Sequence, residues 1–208
     1  MTTIVTTSLQ PPAHAGQTPR AFPAWTVLLS GCALMAFVTG HVFQYDRGAI
    51  LSGQWWRLVS GHLTHWSLDH LFWDVIVFAV LGALNERRDR AAFLRCTVGA
   101  AVLISAGLWL VRPDVTHYRG LSGIDSALFV MTATAACADS LVAGRRRTAA
   151  LAALALALFA VKVLWELATG SALFVDASAA GFETIPLAHA FGAAAGALVG
   201  LFAHRRGR

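Results

Sequence analysis

The residues of this chain that could do chemistry together are a serine and a histidine on separate apolar stretches. Ser122 lies in the hexapeptide YRGLSG at positions 118–123, where an apolar run begins, and His189 lies near the start of the last apolar run. A serine hydroxyl is a weak nucleophile until a neighbouring base, most often histidine, takes its proton. Ionisable groups are costly in lipid and mark function or a water-filled cavity by default. The pair therefore favours an intramembrane serine hydrolase.

A second polar group falls in an earlier apolar run. His70 and Asp74 are four residues apart, so a helix would place them on one face. A donor there could hold the oxyanion that forms during acyl transfer. The alternative is a metal site, but such sites usually need three or four converging ligands, and we predict none here. His62 and His65 precede this helix and are expected to support the loop by hydrogen bonds.

Each of these signals is weak alone. Position 124 is Ile, so the serine motif is not the Gly-x-Ser-x-Gly elbow. His189 alone could be an interfacial or pore-lining histidine. Lys162 and Glu166, four apart, predict an internal ion pair near the cytoplasmic half of their span, and the alternative is a proton or ion path. The combination and its order along the chain are what indicate a hydrolase.

Composition indicates a membrane protein. The chain is 57% hydrophobic and only 13% charged, against about 25% charged in a typical soluble domain. Three cysteines in or beside apolar runs indicate neither a disulfide framework nor zinc. The net charge of +5 comes from arginine clusters between the apolar runs, which is typical of topology signals rather than of nucleic-acid binding.

Six apolar spans must position the polar residues. Each is long enough to cross a bilayer, which predicts an all-α membrane protein with six transmembrane helices. Residues 1–22 predict a flexible cytoplasmic tail before a single domain at 23–208, and the loop with Asp176 and Glu183 could act as a lid. The predicted spans are 24–43, 66–84, 91–111, 121–141, 148–168 and 186–204.

Arginine placement predicts the orientation. Eleven arginines flank the chain ends and the second and fourth loops, whereas four lie in the other loops. By the positive-inside rule both termini are cytoplasmic, and Ser122 and His189 lie toward the outer surface. In the long first loop, Trp55, Trp56 and Arg57 suit the headgroup level, as a simple anchor or as a half-inserted loop.

The last span has one smooth face. Gly192, Gly196 and Gly200 recur every four residues, and small residues at this spacing let two membrane helices approach closely. His189 lies just before this face. A partner helix packed on it could therefore present a serine within hydrogen-bond reach of His189.

These motifs together resemble the rhomboid family of intramembrane serine proteases, over about residues 24–204. The resemblance implies a six-helix rhomboid-like bundle. The residues that carry it are Trp56 and Arg57 of the first loop, His65 and His70 of the second helix, Gly120 to Gly123 around the serine, and His189, Gly192 and Gly196 of the sixth helix.

The resemblance implies roles for individual residues. Ser122 and His189 would form a catalytic dyad, with no third carboxylate required. The Ser122 backbone N–H and the His70 side chain would form the oxyanion hole. The supporting residues would be His65, Asp74, Gly120 and Gly123.

Two positions depart from the family's pattern. Asp74 stands where the family usually has Asn, and Ser126 stands where a Tyr usually stacks on the base. A carboxylate beside an oxyanion opposes catalysis. Either Asp74 is protonated and donates like the missing Asn, or it orients His70 and stays out of the hole. Asp125 raises the same question.

The hexapeptide and the compact six-span form are most similar to the rhombosortase branch. That branch is associated with Gram-negative bacteria and with proteins that have a C-terminal Gly-Gly-type sorting tail. The resemblance implies a cofactor-independent enzyme of the bacterial inner membrane, with its site toward the periplasm. Its partners would be the lipid bilayer and transmembrane or C-terminally anchored substrates, and no nucleic acid.

Two other functions compete with proteolysis. A catalytically inactive, client-binding rhomboid-like protein fits the substitutions at Asp74 and Ser126. A small transporter fits the intramembrane charges Lys162, Glu166 and Asp125.

Overall fold

The computed structural model describes residues 21–170 and 185–206. The predicted N-terminal tail, except its last two residues, and the predicted lid lie outside the described residues. Eight α-helices, two very short strands and two single-turn 3₁₀ helices (Gly40–Val42 and Gly61–Leu63) make up the described part. In chain order the α-helices and strands are α1 (Ala24–Thr39), β1 (Tyr45–Asp46), α2 (Arg47–Leu51), α3 (Arg57–Ser60), α4 (Leu68–Arg88), α5 (Arg90–Val111), β2 (His117–Tyr118), α6 (Ser122–Val142), α7 (Arg146–Thr169) and α8 (Pro186–Arg206).

The long helices confirm the predicted all-α membrane bundle. Five described helices, those containing α1, α4, α5, α6 and α7, are long and apolar enough to cross a membrane. The sixth predicted span corresponds to α8, whose apolar part, Pro186–Phe202, is shorter. The protein is therefore an integral membrane protein.

The helix that begins at Ser122 is the central one. In its most apolar stretch 56% of residues are buried, against 11% in α1 and in α7. A helix enclosed by protein needs less hydrophobicity than one that faces lipid, and α6 has the lowest hydropathy of the five. This central position explains why α6 can hold buried polar residues such as Asp125 and Ser126.

The first loop is held by its arginine. Arg57 is buried and donates through Nη1 to the carbonyl oxygens of His41 and Gln44 at 3.1 and 3.0 Å. Trp55 and Trp56 are exposed, as an interfacial anchor requires. Arg57 therefore stabilises the loop from inside, and the headgroup level of the loop stays a prediction.

The same loop fixes the chain just before Ser122. β1 and β2 pair antiparallel, with Tyr45 opposite Tyr118. The buried Tyr118 hydroxyl donates to the Gly120 carbonyl oxygen at 3.0 Å, and burial raises the pKa of Tyr118 above its ordinary value, so it remains a donor. Gly120 has φ +131°, a conformation that favours glycine. The turn at Gly120 leads directly into α6.

Candidate active site

Ser122 is the first residue of the central helix, and its hydroxyl faces His189. Ser122 Oγ lies 3.2 Å from His189 Nε2. The first backbone N–H groups of a helix have no partner within the helix, so the Ser122 N–H is also available at this point. One residue thus offers a hydroxyl toward a base and an N–H toward a second group.

The close approach of α6 and α8 depends on glycine. A Cβ at Gly192 would overlap the carbonyl oxygen of Gly123, and a Cβ at Gly196 would overlap that of Ala127. A Cβ at Gly200 would lie 3.2 Å from the Thr134 side chain. The small-residue face of α8 therefore packs on the helix that begins with the serine, and this contact brings the turn containing His189 level with Ser122.

A carboxylate lies behind the histidine. Glu166 Oε2 lies 2.8 Å from His189 Nδ1, on the opposite side of the ring from Ser122. Lys162 Nζ contacts the same Glu166 oxygen at 2.9 Å and His189 Nδ1 at 3.1 Å. The Lys162–Glu166 pair is as predicted. Both side chains lie at the His189 end of α7, opposite the arginine cluster that the predicted orientation places in the cytoplasm.

The sequence held a signal for this contact. Arg145 to Arg147 precede and begin α7, and Glu166 is three residues, or about 4.5 Å of rise, from its other end. His189 is only three residues into α8. Counting helix positions from the arginine cluster would have placed Glu166 and His189 at the same end of the bundle.

Asp74 binds the other side of the serine residue. Asp74 Oδ2 accepts hydrogen bonds from the backbone N–H groups of Leu121 and Ser122, at 2.9 and 3.1 Å. A carboxylate is favourable at a helix N-terminus, where N–H groups are unpaired and the helix dipole is positive. Asp74 therefore caps α6 from a neighbouring helix.

Two histidines point at the same carboxylate oxygen. His65 Nε2 lies 3.1 Å and His70 Nε2 3.3 Å from Asp74 Oδ2, and all three residues are buried. The predicted hole donors, the Ser122 N–H and His70, do converge. The Asp74 oxygen occupies the point on which these donors converge, and both roles predicted for Asp74 stay predictions.

The same three side chains meet the geometric requirement for a metal site. One ligand atom from each of His65, His70 and Asp74 lies within 4.8 Å of the others. Yet two backbone N–H groups also point at the Asp74 oxygen, and their positive ends would repel a cation bound there. We interpret the cluster as a hydrogen-bonded network around Asp74.

The remaining polar residues surround the site. His62 Nε2 contacts the Ala101 carbonyl oxygen at 3.1 Å, so it holds the first loop on α5 as expected, and burial lowers the pKa of His62 to about 4. Ser126 Oγ donates to the Ser122 carbonyl oxygen at 2.8 Å, so it cannot reproduce a tyrosine stacked on the base. Asp125 is buried, and its Oδ1 has no hydrogen-bond partner among the described residues.

Comparison with known proteins identifies the family of this chain. The family model for the rhomboid domain matches residues 52–206. A Bacillus subtilis (strain 168) protein named "Putative rhomboid protease YdcA" is 31% identical over 87 residues, which are 41% of this chain. The aligned part spans only 43% of that relative. The family match, by contrast, extends from the first loop through α8 and covers most of the chain, and this protein therefore belongs to the rhomboid family.

Proposed function

We propose that the protein is an intramembrane serine endopeptidase in which Ser122 is the nucleophile and His189 is the general base. The single observation that carries this proposal is the 3.2 Å contact between Ser122 Oγ and His189 Nε2 at the start of the central helix. Nucleophile and base within hydrogen-bond reach are the signature of covalent catalysis by serine. Membership of the rhomboid family supports the same activity.

The reaction follows from that contact. Ser122 Oγ attacks the carbonyl carbon of the scissile peptide bond while His189 Nε2 takes the hydroxyl proton. The tetrahedral oxyanion collapses, and the leaving amine takes that proton from Nε2. Water then attacks the acyl-serine ester and gives a proton to Nε2, which returns it to Ser122 Oγ as the carboxylic acid leaves.

The oxyanion needs the same hydrogen-bond donors that contact Asp74 in the structure. The Ser122 N–H and His70 Nε2 both contact Asp74 Oδ2. A negative carboxylate at this point opposes a negative oxyanion. During the reaction Asp74 must therefore be protonated, so that it donates a hydrogen bond, or its oxygen must leave the hole.

The proposed substrates are transmembrane or C-terminally anchored proteins with a Gly-Gly-type sorting tail. The motif YRGLSG and the compact bundle support this rhombosortase-like assignment. Co-expression with a tailed candidate substrate tests it, with a matched substrate whose glycine pair is replaced by bulky residues as the control. Equal cleavage of both substrates would remove the assignment and leave the protease proposal intact.

The proposed location is the bacterial inner membrane, with both termini in the cytoplasm and the site toward the periplasm. The arginine distribution supports this orientation. A tag at each end, probed with protease from either side, tests it. Access to the N-terminal tag only from outside would reverse the orientation.

A client-binding protein without protease activity is the second candidate. The observation that favours it is the Asp74 oxygen on the Ser122 N–H, where an active enzyme must bind an oxyanion. By contrast, the pairing of Lys162 and Glu166 with His189 gives these charges a partner at the site and weakens the transporter hypothesis.

A fluorophosphonate probe separates these functions, because it reacts only with an activated serine. The probe should label the wild-type protein in detergent and should not label Ser122→Ala. Ser140→Ala, which removes another buried serine of α6, is the matched control and should be labelled like the wild type. A wild-type protein that is not labelled and cleaves no tailed substrate would overturn the protease proposal.

A further inference from the structure

The contact behind His189 has a chemical consequence, because a carboxylate can only accept hydrogen bonds. Glu166 Oε2 lies 2.8 Å from His189 Nδ1. A hydrogen bond between them requires the proton on Nδ1. Nε2 of the neutral ring is then unprotonated and free to accept the hydroxyl proton of Ser122, 3.2 Å away.

Lys162 offers the opposite arrangement. An ammonium group can only donate, and Lys162 Nζ lies 3.1 Å from the same Nδ1. If Lys162 donated to Nδ1, the neutral ring would have its proton on Nε2 and could not accept one from Ser122. The Glu166 contact is the shorter of the two, and Lys162 has Glu166 itself as an acceptor at 2.9 Å.

Burial favours the arrangement in which Lys162 pairs with Glu166 and Glu166 pairs with His189. The Glu166 side chain is 1% exposed, and the side chains of His189 and Lys162 are 13% and 17% exposed. A buried carboxylate without partners is costly, whereas a paired and hydrogen-bonded one is tolerated. Lys162 therefore allows Glu166 to be ionised at this depth, and Glu166 holds the ring.

We propose that Glu166 is a positioning residue that selects the reactive tautomer of His189, so that the site works as a Ser122–His189–Glu166 triad with Lys162 holding the carboxylate. This inference rests on the proposed protease function. It departs from the dyad that the rhomboid resemblance implies. Glu166 also stabilises the imidazolium that forms when His189 takes the serine proton.

The expected effect follows from other serine enzymes. In a soluble serine protease, an amide in place of the acidic triad member lowers kcat by about 10⁴, because the histidine adopts the wrong tautomer. Glu166→Gln introduces an amide that can donate to Nδ1 and impose that tautomer. We expect a fall of about 10² or more in both kcat and the rate of fluorophosphonate labelling, with KM almost unchanged.

Glu86→Gln is the matched control. Glu86 is a buried carboxylate that accepts from the Thr26 N–H at 2.8 Å and pairs with Arg90, so it anchors α1 and does not contact Ser122 or His189. Its loss should lower thermal stability and leave the labelling rate of the folded protein unchanged. A Glu166→Gln protein that is folded and labelled at the wild-type rate would overturn the triad.

A second measurement determines the tautomer in the wild-type protein itself. Nitrogen-15 NMR of histidine-labelled protein distinguishes the two neutral tautomers, and His189→Ala identifies the resonance. The proton should be on Nδ1 of His189, and a proton on Nε2 would contradict the proposal. If fluorophosphonate labels the wild type while this result fails, the inference alone is lost. A wild type that is not labelled and cleaves no tailed substrate removes the protease function itself.

Discussion

Two histidine–carboxylate pairs flank Ser122, and they differ in where the carboxylate lies. On one side Glu166 is behind His189, separated from the serine by the imidazole ring. On the other side Asp74 lies between His70 and the Ser122 N–H and contacts both. The same two chemical groups therefore face opposite charges during the proposed reaction.

The difference shows that a carboxylate stabilises or opposes the reaction according to which developing charge it lies beside. Positive charge develops on His189 as it takes the serine proton, so Glu166 stabilises that step. Negative charge develops at the oxyanion, so an ionised Asp74 opposes that step. Asp74 instead serves the resting structure, because it caps the free N–H groups at the start of α6.

The largest expected effect is that of removing the Ser122 hydroxyl, the proposed nucleophile. Ser122→Ala should abolish cleavage and fluorophosphonate labelling, because no other group can form the covalent intermediate. Its backbone N–H remains to bind Asp74, so the protein should stay folded and inserted. Cleavage by the purified variant would show that the serine mechanism is wrong.

Gly196→Leu should move His189 away from Ser122 and leave the contact between Asp74 and Ser122 in place. A side chain there would overlap the Ala127 carbonyl oxygen and push α8 away from α6. We expect almost complete loss of labelling. Gly99→Leu is the control, since a Cβ at Gly99 meets nothing within 4 Å. Full activity of Gly196→Leu would mean that this contact does not position His189.

Asp74→Leu and Asp74→Asn both remove the carboxylate beside the proposed oxyanion hole, but only Asn retains a hydrogen-bond donor. Losing one oxyanion donor typically lowers the rate by about 10²–10³, and we expect that loss for Leu, which can neither donate nor cap α6. Asn removes the negative charge and retains a donor and an acceptor, so it should keep much of the activity. Cleavage rates of the two purified variants decide this. Equal damage by both would show that the ionised carboxylate is required.

The smallest expected effect lies outside both pairs. Tyr118→Phe removes the hydrogen bond to the Gly120 carbonyl oxygen, and the free energy of unfolding should fall by about 1 kcal/mol. The labelling rate of the folded protein should not change, because the hydroxyl does not contact Ser122 or His189. A large fall in labelling without loss of stability would mean that the Gly120 turn controls the hole directly.

Much of the fold could be predicted from local pattern. The apolar runs predicted the long helices to within a few residues, because a membrane helix must satisfy its own backbone hydrogen bonds over a length set by the bilayer. The four-residue spacing of His70 and Asp74 placed both on one face of α4, as the structure has them. The glycine repeat of α8 predicted a close helix neighbour, because small residues four apart lie on one helix face and let another helix approach.

By itself, then, the sequence determined the helices, their apolar faces and the residue types that could react. Only the tertiary structure decided which carboxylate meets which histidine. Glu166 approaches His189 because the end of α7 and the start of α8 lie at the same level. Asp74 turns to the start of α6 because unpaired N–H groups attract it there. Both choices depend on distances between different helices, which the residue spacing along one helix does not determine.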